Sequence, residues 1–197
     1  MTPALLLGTL GFALFLLYDV NSVTARRRAL NALFPAGFAL VCAATALLFY
    51  GAAAAGAFRT AGSAALLALG ALCFALLLYC LFFALPFSDT YVDPQAQRRV
   101  YDGGVYALCR HPGVLCFFFM YLFWGLAASG TPFLRTGMIF SLLNLLYALF
   151  QDRWSFPKTF ADYAEYRERV PFLIPTGASI RATVTTWPRP ERKKDAK

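Results

Sequence analysis

Charges interrupt this chain rarely, and in clusters. The stretches Thr2–Tyr18, Ala29–Phe58, Thr60–Ser88, Pro112–Leu134 and Thr136–Gln151 contain no Asp, Glu, Lys or Arg. A helix that crosses the hydrocarbon core needs about 20 apolar residues, with a range of roughly 17–25, and the five runs approach or exceed that length. The pattern predicts an all-α, polytopic membrane protein with five transmembrane helices. Gly51–Gly56 reads as the external turn between the second and third spans. Ser129-Gly130-Thr131-Pro132 reads as a tight turn, which makes the fourth and fifth spans an antiparallel hairpin. Ala64/Ala68 and Ala71/Ala75 set small residues at i, i+4, a spacing that lets helices approach closely in lipid. Aromatics crowd the fourth run at Phe117, Phe118, Phe119, Tyr121, Phe123 and Trp124, as expected for lipid contact and interface anchoring.

After Asp152 the pattern changes. Phe156, Phe160, Tyr163, Tyr166 and Val170 recur at helical spacing, with Lys158, Asp162, Glu165, Glu168 and Arg169 between them. This predicts a C-terminal interfacial amphipathic helix, with Pro157 in its first turn and Pro171 ending it. Pro171–Pro175 follows as an apolar, extended plug. The organisation expected is a five-span membrane domain over 1–152, a cytoplasmic interfacial helix and plug over 153–175 that completes a site, and a basic, flexible tail over 176–197.

Composition supports the class. Of the 197 residues, 59% are hydrophobic and 14% charged, against about 45–50% and 25% in soluble domains. That excludes a soluble enzyme, a disulfide-rich secreted module and a nucleic-acid-binding domain. The net charge of +8 is placed unevenly, since ten of the 18 Lys and Arg follow Gln151 and Arg26-Arg27-Arg28 follows the first run. Lys and Arg are in excess in cytoplasmic loops, which puts the N-terminus outside and the C-terminus in the cytoplasm of a multi-pass protein of the bacterial plasma membrane or the endoplasmic reticulum. The first run lacks the basic start of a secretory signal and reads as a retained span. The end of the tail, Glu191–Lys197, either lies near anionic headgroups or is a solubilising disordered end.

The five cysteines form no CxxC pair and the chain has one histidine, so no metal is expected. Four of the cysteines lie in apolar runs and read as packing residues. Cys109 adjoins Arg110 and His111 and stands apart from the other four cysteines. Polar groups gather at the cytoplasmic ends of spans three, four and five: Asp89, Asp93, Arg98, Arg99, Tyr101, Asp102, Tyr106, Arg110 and His111, then Gln151, Asp152 and Arg153, with Tyr163 and Tyr166 from the aromatic helix. Convergent polar groups beside an apolar wall make the default candidate site. There is no Gly-rich nucleotide loop of either common type, so any cofactor must be held by helix ends, loops and the tail. Plainer readings stand beside these. His111 caps the fourth span, Asp152 and Arg153 form an interfacial ion pair, and Tyr163 and Tyr166 simply face a core.

Gly104-Val105-Tyr106-Ala107-Leu108-Cys109-Arg110-His111-Pro112 resembles the G-x-Y-x-x-x-R-H-P signature of the integral-membrane methyltransferases, which include isoprenylcysteine carboxyl methyltransferase and the phospholipid N-methyltransferases. Gln151-Asp152, Tyr163-Ala164-Glu165-Tyr166, Val170-Pro171 and Ile174-Pro175 resemble that family's second block. Four features depart from it: Gln151 replaces an acid, Thr159-Phe160 stands in place of Phe-Gly, Val114 stands where an aromatic often follows Arg-His-Pro, and Tyr147 stands where carboxyl-methylating relatives carry arginine. The resemblance implies transfer of a methyl group from S-adenosylmethionine to a lipid or lipophilic small-molecule acceptor at the cytoplasmic membrane face. It implies Arg110 and Asp152 as catalytic residues. Tyr106, Arg110, His111, Pro112, Gln151, Asp152, Tyr163 and Tyr166 become the cofactor-binding set, with no nucleic acid and no metal. A non-catalytic membrane protein on the same scaffold is the alternative, and a steroid-reductase-like membrane reductase a more distant one.

Overall fold

The computed structural model describes residues 2–84 and 99–187, and every regular element among them is helical. Helix α1 spans Pro3–Val23 and begins where Thr2 accepts the Leu5 N–H through its side chain. Its exit is tied by Asn21, whose side chain donates to the Arg27 carbonyl at 3.1 Å and accepts the Arg27 N–H at 3.0 Å. A 3-10 turn, Arg28–Ala32, leads into α2, Leu33–Ala54. Helix α3, Ala61–Leu78, opens with a reciprocal Thr60/Ser63 capping box and ends in a π turn, Tyr79–Phe83. A short α4, Val105–Leu108, precedes α5, Pro112–Ala127, which starts with proline where a missing N–H costs nothing. Helix α6, Phe133–Phe150, runs through a π segment, Gln151–Ser155, into α7, Phe156–Thr159. Helices α8, Tyr163–Arg169, and α9, Gly177–Thr186, complete the chain.

The long helices pack in the order α2, α1, α6, α5, α3. Their shared core is aromatic: Tyr121, Phe133 and Phe140 are fully buried, with Phe12, Phe117 and Trp124 around them. The Tyr121 hydroxyl hydrogen-bonds Thr45 on α2, so the most buried phenol has a partner. Glycines set the closest approaches. A Cβ built on Gly11 of α1 or Gly37 of α2 lies 2.8 Å from the other's carbonyl oxygen, and one on Gly70 of α3 lies 2.2 Å from the Trp124 ring.

Four segments are long and apolar enough to cross a membrane: Pro3–Val23, Arg28–Ala54, Ala61–Phe83 and Phe133–Thr159. The fourth uncharged run yields only the 16-residue α5, which rises about 24 Å. The rest of that run is spent on the turn, where Gly130 takes φ +81° before Pro132.

Other sequence expectations also shift. Helix α2 continues to Ala54, so the turn comes after it, at Gly56 with φ +71°. Ala64, Ala68, Ala71 and Ala75 are exposed, and Ser63, Gly70 and Leu77, seven residues apart, are the buried positions of α3. Bulk explains the choice, because a Cβ at position 70 would lie 2.2 Å from the Trp124 indole. The aromatic segment is not one helix. The π segment puts the Phe156 N–H on the Gln151 carbonyl, Pro157 follows without an N–H, and Phe160 turns extended. The aromatic face survives the break, since Tyr163, Tyr166 and Val170 are buried in a cluster with Val100, Phe156 and Phe160. The tail expected to be flexible from residue 176 instead begins with α9, capped reciprocally by Thr176 and Ser179.

Candidate functional site

Two hydrogen bonds locate the polar end of the bundle. Gln151 Nε2 at the end of α6 donates to Asp19 Oδ2 near the end of α1 at 2.9 Å. The Tyr106 hydroxyl donates to the Cys80 carbonyl, in the π turn after α3, at 2.9 Å. The C-terminal ends of α1, α3 and α6 therefore meet at one level, beside the loop that leads into α5.

Asp152 is the hub. It sits in the π segment, where the extra residue per turn re-aims side chains relative to the helix before it. Arg110 grips it bidentately through one edge of the guanidinium, Nε to Oδ1 at 2.7 Å and Nη2 to Oδ2 at 3.2 Å. Arg110 Nη1 donates to the carbonyls of Val170 at 2.6 Å and Arg167 at 3.1 Å. Four of the five guanidinium N–H groups are thus engaged, and the side chains of Arg110 and Asp152 are 9% and 5% exposed. Tyr163 donates its hydroxyl to Asp152 Oδ1 at 2.7 Å. Burial, and then the Asp152 carboxylate beside it, push the Tyr163 phenol well above its ordinary range, so it stays a donor at neutral pH. Arg167 Nε approaches Asp152 Oδ2 at 3.7 Å. Asp152 thus pairs with Arg110 in place of its neighbour Arg153, which is exposed.

The main chain closes the same joint. The N–H groups of Arg110 and His111 donate to the carbonyls of Pro171 at 2.9 Å and Phe172 at 3.3 Å. The Phe172 ring sits against His111 and under the Arg110 guanidinium, whereas Ile174 is exposed, so only the first part of the expected plug is inserted. His111 lies between the Phe156 and Phe172 rings, with Nε2 buried, 3.6 Å from Asp152 Oδ1 and without a hydrogen-bond partner. It stands at the start of α5 but makes no side-chain capping bond.

Arg110, His111, Asp152 and Tyr163 meet around one carboxylate. Tyr166 and Tyr106 form the next layer, with the Tyr166 hydroxyl donating to the Tyr106 carbonyl at 2.8 Å. Pro112 is buried at the start of α5. Gln151 faces the other way, toward Asp19, because successive residues of one helix cannot share a face. Cys109 is fully buried, and burial pushes its thiol up to about 11, so it is an inert packing residue. Asp89, Asp93 and Arg98 lie outside the described residues.

Four participants have no role in the sequence motifs. Asp19 is buried and hydrogen-bonded by Gln151. Among the described residues it has no basic partner within ion-pair distance. An acid closing an apolar run was its only signal. Asp162 accepts the Val100 N–H at 2.8 Å and pairs with Arg99, tying α8 to the preceding loop. The Arg167 and Val170 carbonyls are invisible to any motif.

Removing the Tyr163 hydroxyl is the mildest probe of the hub. Tyr163→Phe deletes one bond to a buried charge and is expected to cost about 1–3 kcal/mol, read as a lower unfolding midpoint in detergent. An unchanged midpoint would show that the hydroxyl is not holding Asp152.

At the opposite end of the bundle an apolar cavity of about 340 Å³ opens between Ala4, Leu48, Ala52, Gly130 and Phe133. Among the described residues its walls carry no titratable side chain. No family model, no curated protein and no solved structure matches this chain.

Proposed function

We propose that this protein is a membrane methyltransferase that uses S-adenosylmethionine to methylate a lipid or lipophilic acceptor at the cytoplasmic membrane face. The observation that carries the reading is convergence. Two stretches that resemble the two motif blocks of such enzymes, Gly104–Pro112 and Gln151–Pro175, interlock around one buried carboxylate. The bound cofactor would supply an electrophilic methyl group on a sulfonium, and the chain supplies its seat.

His111 fits that role best, as a buried polar atom without a partner between two aromatic rings. Such an orphan nitrogen is costly unless something is to meet it. Arg110 and Asp152 have a different part. Their mutual bonds hold the loop before α5 against the π segment that ends α6, the Arg110 bonds to the Arg167 and Val170 carbonyls hold the same loop against the end of α8, and together they would fix where donor and acceptor align. Tyr106 and Tyr166 brace the same wall through carbonyl bonds. In this reading α5 makes a fifth crossing, the N-terminus lies outside, and the end bearing Arg26–Arg28, Arg99 and Arg110 faces the cytoplasm.

Calorimetric titration of the purified protein in detergent with S-adenosylhomocysteine tests the reading. Micromolar binding is expected, weakened about tenfold or more in His111→Phe. The same substitution is expected to leave the unfolding midpoint unchanged or raised, because it replaces an unsatisfied polar atom with an apolar one. A flat titration of well-folded protein would favour the second reading, a non-catalytic membrane protein on this scaffold. The saturation of Arg110 is the observation that speaks for that alternative.

A further inference from the structure

The C-terminal helix α9 is built inside out. Ser179, Thr183 and Thr186 repeat at i, i+4 and i+7 and turn toward the protein, the first buried and the others half-buried. One position along, Ile180, Val184 and Trp187 form the outer stripe, exposed by 50%, 70% and 48%. A helix lying on a protein in water has the reverse arrangement, with its apolar stripe inward.

The inward hydroxyls are satisfied without any help from solvent. Ser179 donates to the Thr176 carbonyl at 3.0 Å, Thr183 to that of Ser179 at 2.9 Å, and Thr186 to that of Ala182 at 2.8 Å. The Thr186 oxygen also accepts the Gly104 N–H at 3.1 Å. The polar face is therefore a docking face, and the outer face is matched to an apolar medium.

Three observations identify that medium. The Trp187 ring lies 5.7 Å from Tyr79, inside the candidate span Ala61–Phe83. Leu81, Phe82 and Phe83 at the end of that span are exposed, so the stripe on α9 continues its apolar belt. The stripe also ends in tryptophan, the residue enriched at membrane–water boundaries. Finally, Arg181 lies on α9, and the sequence after it carries Arg189, Arg192, Lys193, Lys194 and Lys197 against Glu191 and Asp195. Such a basic stretch complements anionic headgroups.

We infer that α9 is an interfacial helix that rests on an anionic lipid leaflet, with Ile180, Val184 and Trp187 in the acyl boundary, and that it holds the Gly104 loop through Thr186. The inference uses none of the residues of the Asp152 cluster and stands whether or not the protein transfers methyl groups.

The test compares wild type with Trp187→Phe in nanodiscs of phosphatidylcholine and phosphatidylglycerol, taking the emission difference as the Trp187 signal. Lipid brominated along the acyl chain is expected to quench that difference about twofold or more, with aqueous iodide having little effect. Val184→Asp, at an exposed position that leaves the bundle core intact, is expected to shift the difference emission to the red and to abolish quenching by bromolipid. Quenching by iodide and not by bromolipid would overturn the inference. So would shielding from both that appears only in discs carrying two copies, because a second chain would then cover the stripe. Quenching that is the same without phosphatidylglycerol would overturn the anionic preference.

Discussion

Arg110→Ala is expected to lower the stability of the folded protein by about 3–5 kcal/mol, the usual cost of stripping one partner from a buried ion pair. The substitution leaves Asp152 with only Tyr163 as a close donor, and His111 and Arg167 lie beyond hydrogen-bond distance. It also frees the Val170 and Arg167 carbonyls, which Arg110 now holds. Water cannot easily replace these bonds, because both charged side chains are nearly inaccessible. In a chain of this size the loss corresponds to a drop in unfolding midpoint on the order of 10 °C. The double variant Arg110→Met, Asp152→Leu is expected to recover much of the loss, since removing both charges also removes their desolvation cost. Thermal unfolding in detergent, followed by tryptophan emission, decides the matter. A single variant as stable as wild type would mean that the guanidinium is not the joint between the two stretches.

Gly37→Leu is expected to separate α1 from α2. Even the first carbon of the new side chain would lie 2.8 Å from the Gly11 carbonyl oxygen and 3.0 Å from the Phe15 ring. The ring can rotate, but the carbonyl belongs to a helix backbone, so the helices themselves must move apart. Overpacking of this kind costs about 1–3 kcal/mol for a small group and more for a large one. The consequence should extend to the polar end, because Asp19 on α1 is the partner of Gln151. Gly37→Ala should fall between Gly37→Leu and wild type in unfolding midpoint. Leucine at 37 with no loss of folded yield or midpoint would show that the two backbones do not meet there. Gly51, with nothing within 4 Å of a built Cβ, serves as the tolerant control.

The site was partly legible in advance. Arg110, His111, Asp152 and Tyr163 stand in two separated stretches that resemble motif blocks, and they lie in one cluster. What resemblance did not convey was how their polar atoms are spent. Arg110 reads in sequence as a free cation for an anionic ligand, yet it is bonded on nearly every side, and two of its partners are main-chain carbonyls. Gln151 reads as a member of the pair Gln151-Asp152, yet the helix sends the two side chains to different neighbours. Asp19 carries no motif in sequence, because its meaning depends on a contact with a residue more than a hundred positions away.

Hydrophobic patterning by itself determined the all-helical class, the apolar runs and the polar end, because the cost of placing charge in hydrocarbon is a property of each segment alone. It also marked the aromatic face after Asp152, since that periodicity is local. The tertiary structure decided where helices stop, as at the 16-residue α5 and the break after Thr159. It decided which small residues form seams, choosing Gly70 over the alanine stripe, and which face of α9 turns inward. Those outcomes depend on the shape and bonding capacity of partners distant in sequence, and no local pattern contains that information.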